Sequence, residues 1–382
     1  MERTIFEPEH DLFREAFRAF LDRHAVPNYD EWERAGIVDR DFFKIAGESG
    51  FLGYAIPEEF GGGGMPDFRY SQVMAEEVQY ADVSSVGLGL SLHVDICVPY
   101  FLEQCNAEQQ ARWLPGIASG ELITAIGMTE PGGGSDLAGI STSAIADGDD
   151  YVVNGGKTFI TNGINSDLVV TAVKTDPKER HKGVSLLVIE RGMEGFERGR
   201  NLEKLGNHAQ DTAELFFTDV RVPAANRLGA EGTGFVAMMQ NLAQERLSVA
   251  ITGIAAAKRA LELTVEYTKS RNAFGKEIAA FQNTQFRLAD LATDVEVGQH
   301  YIDACVMAHN AGKLSAEDAA AAKLWTTELQ GRAVDLGVQL HGGYGYMVEY
   351  PIARAFADAR VTRIYAGTNE IMRQIVGKKL LG

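Results

Sequence analysis

Cysteine is scarce in this chain of 382 residues, where only Cys97, Cys105 and Cys305 occur. Their odd number and the lack of any CxxC spacing argue against a disulfide framework and against a cysteine zinc site. We therefore expect no metal site, and a reducing compartment, the cytoplasm, fits this cysteine usage best.

Positive charge is scarce as well. Lys and Arg total 36 against 53 Asp and Glu, which gives a formal net charge of −17. No run of five or six basic residues occurs anywhere in the sequence. This balance argues against nucleic acid and against an anionic membrane as partners.

Long apolar runs are also missing. No stretch approaches the roughly 20 apolar residues that span a bilayer. The first residues, MERTIFEPEHD, mix charged with apolar positions and contain no apolar core of a signal or transit peptide. We expect a soluble protein with no membrane insertion.

Two common nucleotide motifs are absent. A Walker A loop ending at Gly156-Lys157-Thr158 would need glycine at position 151, where the chain has Tyr151. The spacing of Gly87 and Gly89 resembles the start of GxGxxG, but Leu92 takes the last glycine position and no strand precedes it. The sequence therefore predicts neither a P-loop nor a Rossmann dinucleotide site.

The pattern that is present changes twice along the chain. Apolar residues at helical spacing dominate about the first 115 residues, short β-branched segments bounded by turn residues such as Asn154-Gly155 follow, and long Ala-rich helical stretches begin after Gly234. The length also favours two or three packed units. We predict an α+β protein with a helical domain at residues 1–120, an antiparallel β-domain at 121–232 and a helical domain at 233–382.

Glycine-rich turns mark the candidate binding segments. They lie at Gly127–Asp136, at Gln339–Gly343 and at Tyr365–Glu370, between stronger helical or strand patterns. Glycine lets a backbone approach a bound anionic or planar group closely. Taken singly, such turns are also typical of mobile loops and helix ends. Arg271, at a helix end, could meet a phosphate or simply cap the helix.

Five segments together carry a family resemblance along nearly the whole chain. They are TEPGGGSD at 129–136, NGGKTFITNG at 154–163, RNAFGK at 271–276, QLHGGYGY at 339–346 and AGTNEI at 366–371. In this order and spacing they resemble the acyl-CoA dehydrogenases. The resemblance implies an N-terminal helical domain, a middle β-domain and a C-terminal four-helix bundle, with FAD held between the last two.

The resemblance also implies roles for individual residues. Those expected to bind FAD within one chain are Met128, Thr129, Gly134, Ser135, Phe159 and Thr161. The family forms a homotetramer, in which the residues expected to reach the FAD of a neighbouring chain are Arg271, Phe274, Gln282, Gln339, Gly342 and Gly343. Thr368 and Glu370 are expected at the adenylate, and Ser135, Arg246, Tyr365 and Gly367 at the substrate.

The chemistry of this family needs a carboxylate that removes the α-proton of the thioester while flavin N5 accepts the β-hydrogen as hydride. Many members carry a glutamate directly before the Gly-Thr of the last motif, but this chain has Ala366 there. A second branch, which includes isovaleryl-type and long-chain-type enzymes, supplies the glutamate from an earlier helix, just before an arginine. Glu245, followed by Arg246, occupies that position. The backbone N–H of Ala366 can still donate to the thioester carbonyl, because that role needs no side chain.

The function expected from this resemblance is FAD-dependent conversion of a saturated acyl-CoA to the trans-2-enoyl-CoA in fatty acid β-oxidation. The electrons would pass to an electron-transfer flavoprotein. A flavin oxidase of the same fold and a flavoprotein without catalysis are the alternatives. The length of the acyl chain stays open, and steroid side chains and branched acids are included.

Overall fold

The computed structural model describes residues 3–382. Met1 and Glu2, the first two residues of the predicted N-terminal domain, lie outside the described residues. The first part of the chain is helical, as the apolar spacing predicted. Its helices are α1 Pro8–His24, α2 Tyr29–Ala35, α3 Arg40–Glu48, α4 Arg69–Tyr80, α5 Ser84–Ser91, α6 Val98–Gln104 and α7 Ala107–Ser119.

Helix α1 shows how the apolar stripe builds this part of the core. Phe17 and Leu21 are fully buried in an aromatic cluster, and Phe13 packs against it. Leu12, which also belonged to the predicted stripe, is 67% exposed. It precedes Phe13 by one residue and so projects about 100° away from the buried face.

Helices α5 and α6 are joined by a π-helical turn, Leu92–Cys97. Together they form a continuous helix, Ser84–Gln104, whose length and apolar composition would suffice to cross a membrane. The expectation that no segment approaches such a length was therefore wrong for this helix. However, 72% of its most apolar window is buried inside the protein, as in a core helix.

The middle of the chain forms one eight-stranded sheet with the order β6-β7-β3-β2-β4-β5-β8, and β1 pairs separately with β4. Most neighbours are antiparallel, as predicted, but β1 runs parallel to β4. The predicted turn at Asn154-Gly155 was wrong, because both residues lie inside β3, where the register with β7 shifts. The strands are β1 Thr124–Gly127, β2 Ser143–Asp147, β3 Asp150–Thr161, β4 Leu168–Lys174, β5 Val184–Glu190, β6 Phe196–Asn201, β7 Thr212–Pro223 and β8 Arg227–Leu228.

The last part is a helical bundle in which the small side chains of α8 and α10 allow close packing. Ala250, Ala257 and Ala333 are fully buried in this core. The two-residue strands β9 and β10 pair after α8, and helix α11 was not anticipated from the sequence. The elements are α8 Gly234–Ser270, β9 Asn272–Ala273, β10 Lys276–Glu277, α9 Gln282–Asn310, α10 Ala316–His341, α11 Pro351–Ala359 and α12 Asn369–Leu381.

The three parts meet around the start of α8. Ala237 and Met238 of α8 belong to the same buried cluster as Trp113 of α7 and Val170 of β4. Because this shared core fixes the first turns of α8 against both the helices and the sheet, the next turns of α8 face the junction. The candidate site lies there.

Candidate active site

A cavity of about 440 Å³ opens at this junction and is lined by all three parts of the chain. This volume falls within the range of small-molecule and cofactor sites. Eleven of the residues singled out in the sequence line it: Met128, Thr129, Gly134, Ser135, Phe159, Thr161, Glu245, Arg246, Tyr365, Ala366 and Gly367. The fold therefore brings segments from positions 128 to 367 to one cavity.

The segment that follows β1 and the last residues of β3 form the wall on the sheet side. The backbone N–H of Thr158 donates to the carbonyl of Thr129 at 2.9 Å and ties the two segments together. Beneath them Lys157 and Glu130 form a buried ion pair with 2.8 Å between Nζ and Oε1. Burial alone would raise the pKa of Glu130, but hydrogen bonds from Lys157, Thr142 and Ser141 outweigh it and lower the pKa. The pair fixes the position of Thr129.

Phe159 is placed on this wall by an irregularity in β3. Its φ is +60°, and the register with β7 shifts between Lys157 and Ile160. A phenylalanine at positive φ is strained, and such outliers cluster at functional sites. The ring is 68% exposed and lines the cavity. A large apolar ring that is exposed to the cavity beside Thr161 can pack against the face of a planar cofactor.

Glu245 lies on the opposite wall, on α8, and its side chain is buried. Its Oε1 accepts a hydrogen bond from the Tyr100 hydroxyl at 3.1 Å. Burial raises the pKa of Glu245 to about 7, although the bond from Tyr100 and the charge of Arg246 oppose this rise. A carboxyl group with a pKa near neutrality can take up and release a proton under physiological conditions.

Arg246 is also buried, and its Nε has no hydrogen-bond partner within residues 3–382. An unpaired buried guanidinium N–H is costly and is normally satisfied by a ligand or water. Since Arg246 lines the cavity, a polar group of a bound molecule can fill this role.

The turn Ala366-Gly367 closes the cavity ahead of α12. Both residues have positive φ, +51° and +86°. The buried Lys323 of α10 donates to the Gly367 carbonyl at 2.6 Å and holds the turn from behind. Burial, and also the charge of Arg246, lowers the pKa of Lys323 to about 8. In the described part of the chain the N–H of Ala366 has no acceptor, which leaves it available to a ligand.

The other predicted site residues lie outside the cavity. Six of them, all exposed, are Arg271, Phe274, Gln282, Gln339, Gly342 and Gly343. Arg271 lies 5.7 Å from the ring centre of Tyr344, so the end of α8 and the turn after α10 form one surface. Thr368 caps α12 by accepting the N–H of Ile371, and Glu370 is exposed in the first turn of that helix.

Three residues of the site were not predicted from the sequence, namely Tyr100, Lys323 and Asp95. Lys323 could have been found, because helical spacing places this charged residue on the same face as the buried positions Ala319, Ala322 and Thr326 of α10. Tyr100 and Asp95 left no signal beyond their position in an apolar helical segment.

The site therefore combines a buried carboxyl group, a mostly apolar cavity and an exposed phenylalanine ring between a sheet and a helical bundle. Profiles described as the N-terminal, middle and C-terminal domains of acyl-CoA dehydrogenase match residues 7–121, 125–220 and 232–381. The chain belongs to the acyl-CoA dehydrogenase family, which confirms the resemblance and the three-part fold.

Individual relatives match this chain over most of their length. The mitochondrial long-chain specific acyl-CoA dehydrogenase of Sus scrofa is 46% identical over 381 residues, which are 99% of this chain and 88% of that protein. The crystal structure of acyl-CoA dehydrogenase from Geobacillus kaustophilus has a TM-score of 0.97 at 52% identity and 99% coverage of both chains. A glutaryl-CoA dehydrogenase from Mycobacterium smegmatis in complex with FADH2 has a TM-score of 0.92 at 27% identity, covering 99% of this chain and 96% of that one.

These findings establish the enzyme class and the cofactor. The protein is an oxidoreductase that carries out FAD-dependent dehydrogenation of acyl-CoAs. The residues Met128, Thr129, Phe159 and Thr161 fit the flavin, because they present backbone polar groups, hydroxyls and an open aromatic ring along one wall.

Proposed function

We propose that Glu245 removes the α-proton of a saturated acyl-CoA and that the product is the trans-2-enoyl-CoA. The observation that carries this proposal is the buried carboxyl group of Glu245 on the cavity wall, with its pKa raised to about 7. Deprotonated Glu245 takes the α-proton, and Tyr100 keeps the carboxylate oriented through its hydroxyl. The unengaged N–H of Ala366 donates to the thioester carbonyl and stabilises the enolate charge that develops there.

Bound FAD supplies the acceptor for the β-hydrogen. The chain's own contribution on that side is a wall formed by Met128, Thr129, Phe159 and Thr161, with Gly134 and Ser135 at the exposed rim. Arg246, Tyr365 and Gly367 line the cavity beside Glu245 and are assigned to the substrate. Once cofactor and substrate fill the cavity, its mostly apolar lining excludes water, which keeps the enolate from being quenched.

The assignment of the base is tested by anaerobic mixing of the yellow holoenzyme with acyl-CoA. Wild type is expected to bleach, whereas Glu245→Gln binds the ligand and bleaches at least a thousandfold more slowly, because the amide cannot accept the proton. Glu262→Gln, which changes an exposed glutamate of the same helix, is the matched control and should bleach like wild type. If Glu245→Gln and Glu262→Gln bleach at the same rate, Glu245 is not the base.

Two alternatives are distinguished by the fate of the electrons. An electron-transfer flavoprotein is the proposed acceptor, supported by family membership. A flavin oxidase would instead form hydrogen peroxide in each turnover with acyl-CoA and oxygen. A flavoprotein without catalysis would not bleach at all with any acyl-CoA.

The cavity favours a long acyl chain. From Glu245 the lining continues along α8 with Val249 and Thr252, and Gln79 and Ser84 also line the cavity. Seven helical residues advance about 10 Å, and an extended chain advances about 1.2 Å per bond, so roughly eight bonds fit beyond the α-carbon. Flavin bleaching with a series of acyl-CoAs should therefore be fastest near ten to twelve carbons, which suits fatty acid β-oxidation.

We also propose that the enzyme is a homotetramer of the cytoplasm. The exposed surface formed by Arg271, Phe274, Gln282, Gln339, Gly342 and Gly343 supports the assembly, since these residues are assigned to the FAD of a neighbouring chain. Thr368 and Glu370 are assigned to its adenylate part. Cys97, Cys105 and Cys305 are free thiols, which suits a reducing compartment. Light scattering of the holoenzyme measures the assembly directly.

A further inference from the structure

The acyl section of the cavity contains a carboxyl group that the dehydrogenation does not use. Asp95 lies in the π-helical turn between α5 and α6, lines the cavity and is only 6% exposed. Within residues 3–382 its electrostatic environment includes hydrogen bonds from two serines but no lysine, arginine or histidine partner. A buried carboxylate without a counter-ion is costly unless hydrogen-bond donors surround it.

Two serines from different helices donate to this carboxyl group. Ser71 of α4 donates to Oδ1 at 2.7 Å, and Ser248 of α8 donates to Oδ2 at 2.6 Å. Because the Ser71 proton points to Asp95, the Tyr54 hydroxyl at 2.5 Å must donate to Ser71. In this arrangement both serine hydroxyls donate to Asp95, and the Tyr54 hydroxyl donates to Ser71 behind them.

The backbone of Asp95 is held as well. Gln244 donates to its carbonyl oxygen at 2.7 Å, so α8 fixes both the main chain and the side chain of Asp95. Burial raises the pKa of Asp95 to about 6, while the bonds from Ser248 and Ser71 oppose this rise. At neutral pH the group is mainly ionised and keeps acceptor sites beyond the two that the serines fill.

A plain alkyl chain lying against Asp95 would displace water from these remaining acceptor sites without replacing the hydrogen bonds that are lost. A hydroxyl group would donate to these sites. Sites built to bond a substrate hydroxyl discriminate strongly against an analogue that lacks it, because their own polar groups are then left unpaired.

We propose that Asp95, supported by Ser71 and Ser248, forms a subsite for a hydroxyl group in the middle of the acyl chain. The inference rests on the proposed function, because it uses Glu245 to place the α-carbon. Ser248 follows Glu245 by three residues, or about 4.5 Å of helix, which equals about four bonds of an extended chain. The subsite therefore faces carbon six of the acyl group.

The test measures Kd values on the Glu245→Gln holoenzyme, from which the proposed base has been removed. Bleaching of this variant by acyl-CoA would contradict the proposed function, whereas the Kd values report on the subsite. The probes are dodecanoyl-CoA, 6-hydroxydodecanoyl-CoA and 11-hydroxydodecanoyl-CoA. We expect the 6-hydroxy compound to bind about tenfold more tightly than dodecanoyl-CoA, since one hydrogen bond to a charged group is gained. The 11-hydroxy compound should show no such gain. Equal Kd values for the two hydroxylated probes would overturn the subsite.

Variants assign the preference to Asp95. Asp95→Val, made in the Glu245→Gln protein, should abolish or reverse it, and Asp95→Asn should retain part of it because the amide oxygen still accepts. Ser91→Ala is the matched control, since this cavity-lining hydroxyl donates to the Leu88 carbonyl and not to Asp95. It should keep the full preference. If the tighter binding of the 6-hydroxy compound survives Asp95→Val, the assignment of the subsite to Asp95 is wrong. The comparison of the 6-hydroxy and 11-hydroxy compounds tests the subsite in protein that keeps Asp95.

Discussion

The hydrogen bond from Tyr100 to Glu245 makes a prediction about pH. Tyr100→Phe removes only the hydroxyl that donates to Glu245 Oε1 at 3.1 Å. That bond favours the charged carboxylate and opposes the burial that raises the pKa of Glu245. Without it, the pKa must rise further, and the base is protonated over a wider pH range.

The size of the effect follows from the geometry. A hydrogen bond to a charged group contributes about 1.5 to 3 kcal/mol, and its length of 3.1 Å places this bond at the lower end. Since one pH unit corresponds to about 1.4 kcal/mol, the acid limb of kcat/KM should move upward by about one pH unit. At about pH 6 the variant should be roughly tenfold slower than wild type, and above about pH 9 the two should converge.

The assay is the pH dependence of kcat/KM with a good acyl-CoA substrate and an artificial electron acceptor. Tyr29→Phe serves as control, because Tyr29 is also buried and its hydroxyl donates to Ser85, away from the cavity. It should lose a similar amount of stability and keep the wild-type profile. An acid limb that stays in place in Tyr100→Phe would mean that Glu245 is not the group that titrates in catalysis.

Three further predictions concern stability, the Ala366 turn and assembly. Folding raises the pKa of Glu245 from 4.5 to about 7, so the free energy of unfolding falls as the pH rises through this window. The total fall is about 3 kcal/mol. Glu245→Gln should therefore raise the Tm at pH 8 more than at pH 5, as measured by calorimetry of the holoenzyme. Lys323→Met should lower kcat about tenfold with little change in KM, because the Gly367 carbonyl loses its donor and the Ala366 N–H is no longer held in place; unchanged kcat would contradict this role. Phe274→Ser should weaken FAD retention on dialysis and reduce the mass of the assembly found by light scattering. An unaltered mass would show that this surface is not part of the contact between chains.

The sequence predicted the parts of the site that a local motif encodes. The pairing of Ala366 with Glu245 predicted a base on α8, where this glutamate does line the cavity, and the glycine-rich segments predicted turns. What the sequence could not provide is the environment that gives these groups their chemistry. Tyr100 is 145 residues from Glu245, and Lys323 is 44 residues from Gly367. Such pairs depend on how helices pack, which helical periodicity does not specify.

Backbone irregularities are the second feature that the sequence did not predict. The π-turn at Leu92–Cys97 looks like regular helix in the apolar pattern, yet it places Asp95 where α8 can bond both its carbonyl and its carboxyl group. Likewise Asn154-Gly155 has the composition of a hairpin turn but lies within β3. In both cases tertiary contacts outweigh local preference, because neighbouring elements satisfy the backbone groups that the irregularity frees.

Two phenylalanines support the proposed division of the site between chains. Phe159 and Phe274 both have positive φ, +60° and +52°, and both are strongly exposed, by 68% and 98%. Neither strain nor exposure helps the fold of a single chain, so each ring must gain its contacts from something else. Phe159 lines the chain's own cavity, where the proposed flavin contact would supply them. Phe274 has only the ring of Phe281 as an aromatic neighbour among the described residues, at 6.3 Å between centroids. The proposed second copy, with its FAD at this surface, would supply the remaining contacts.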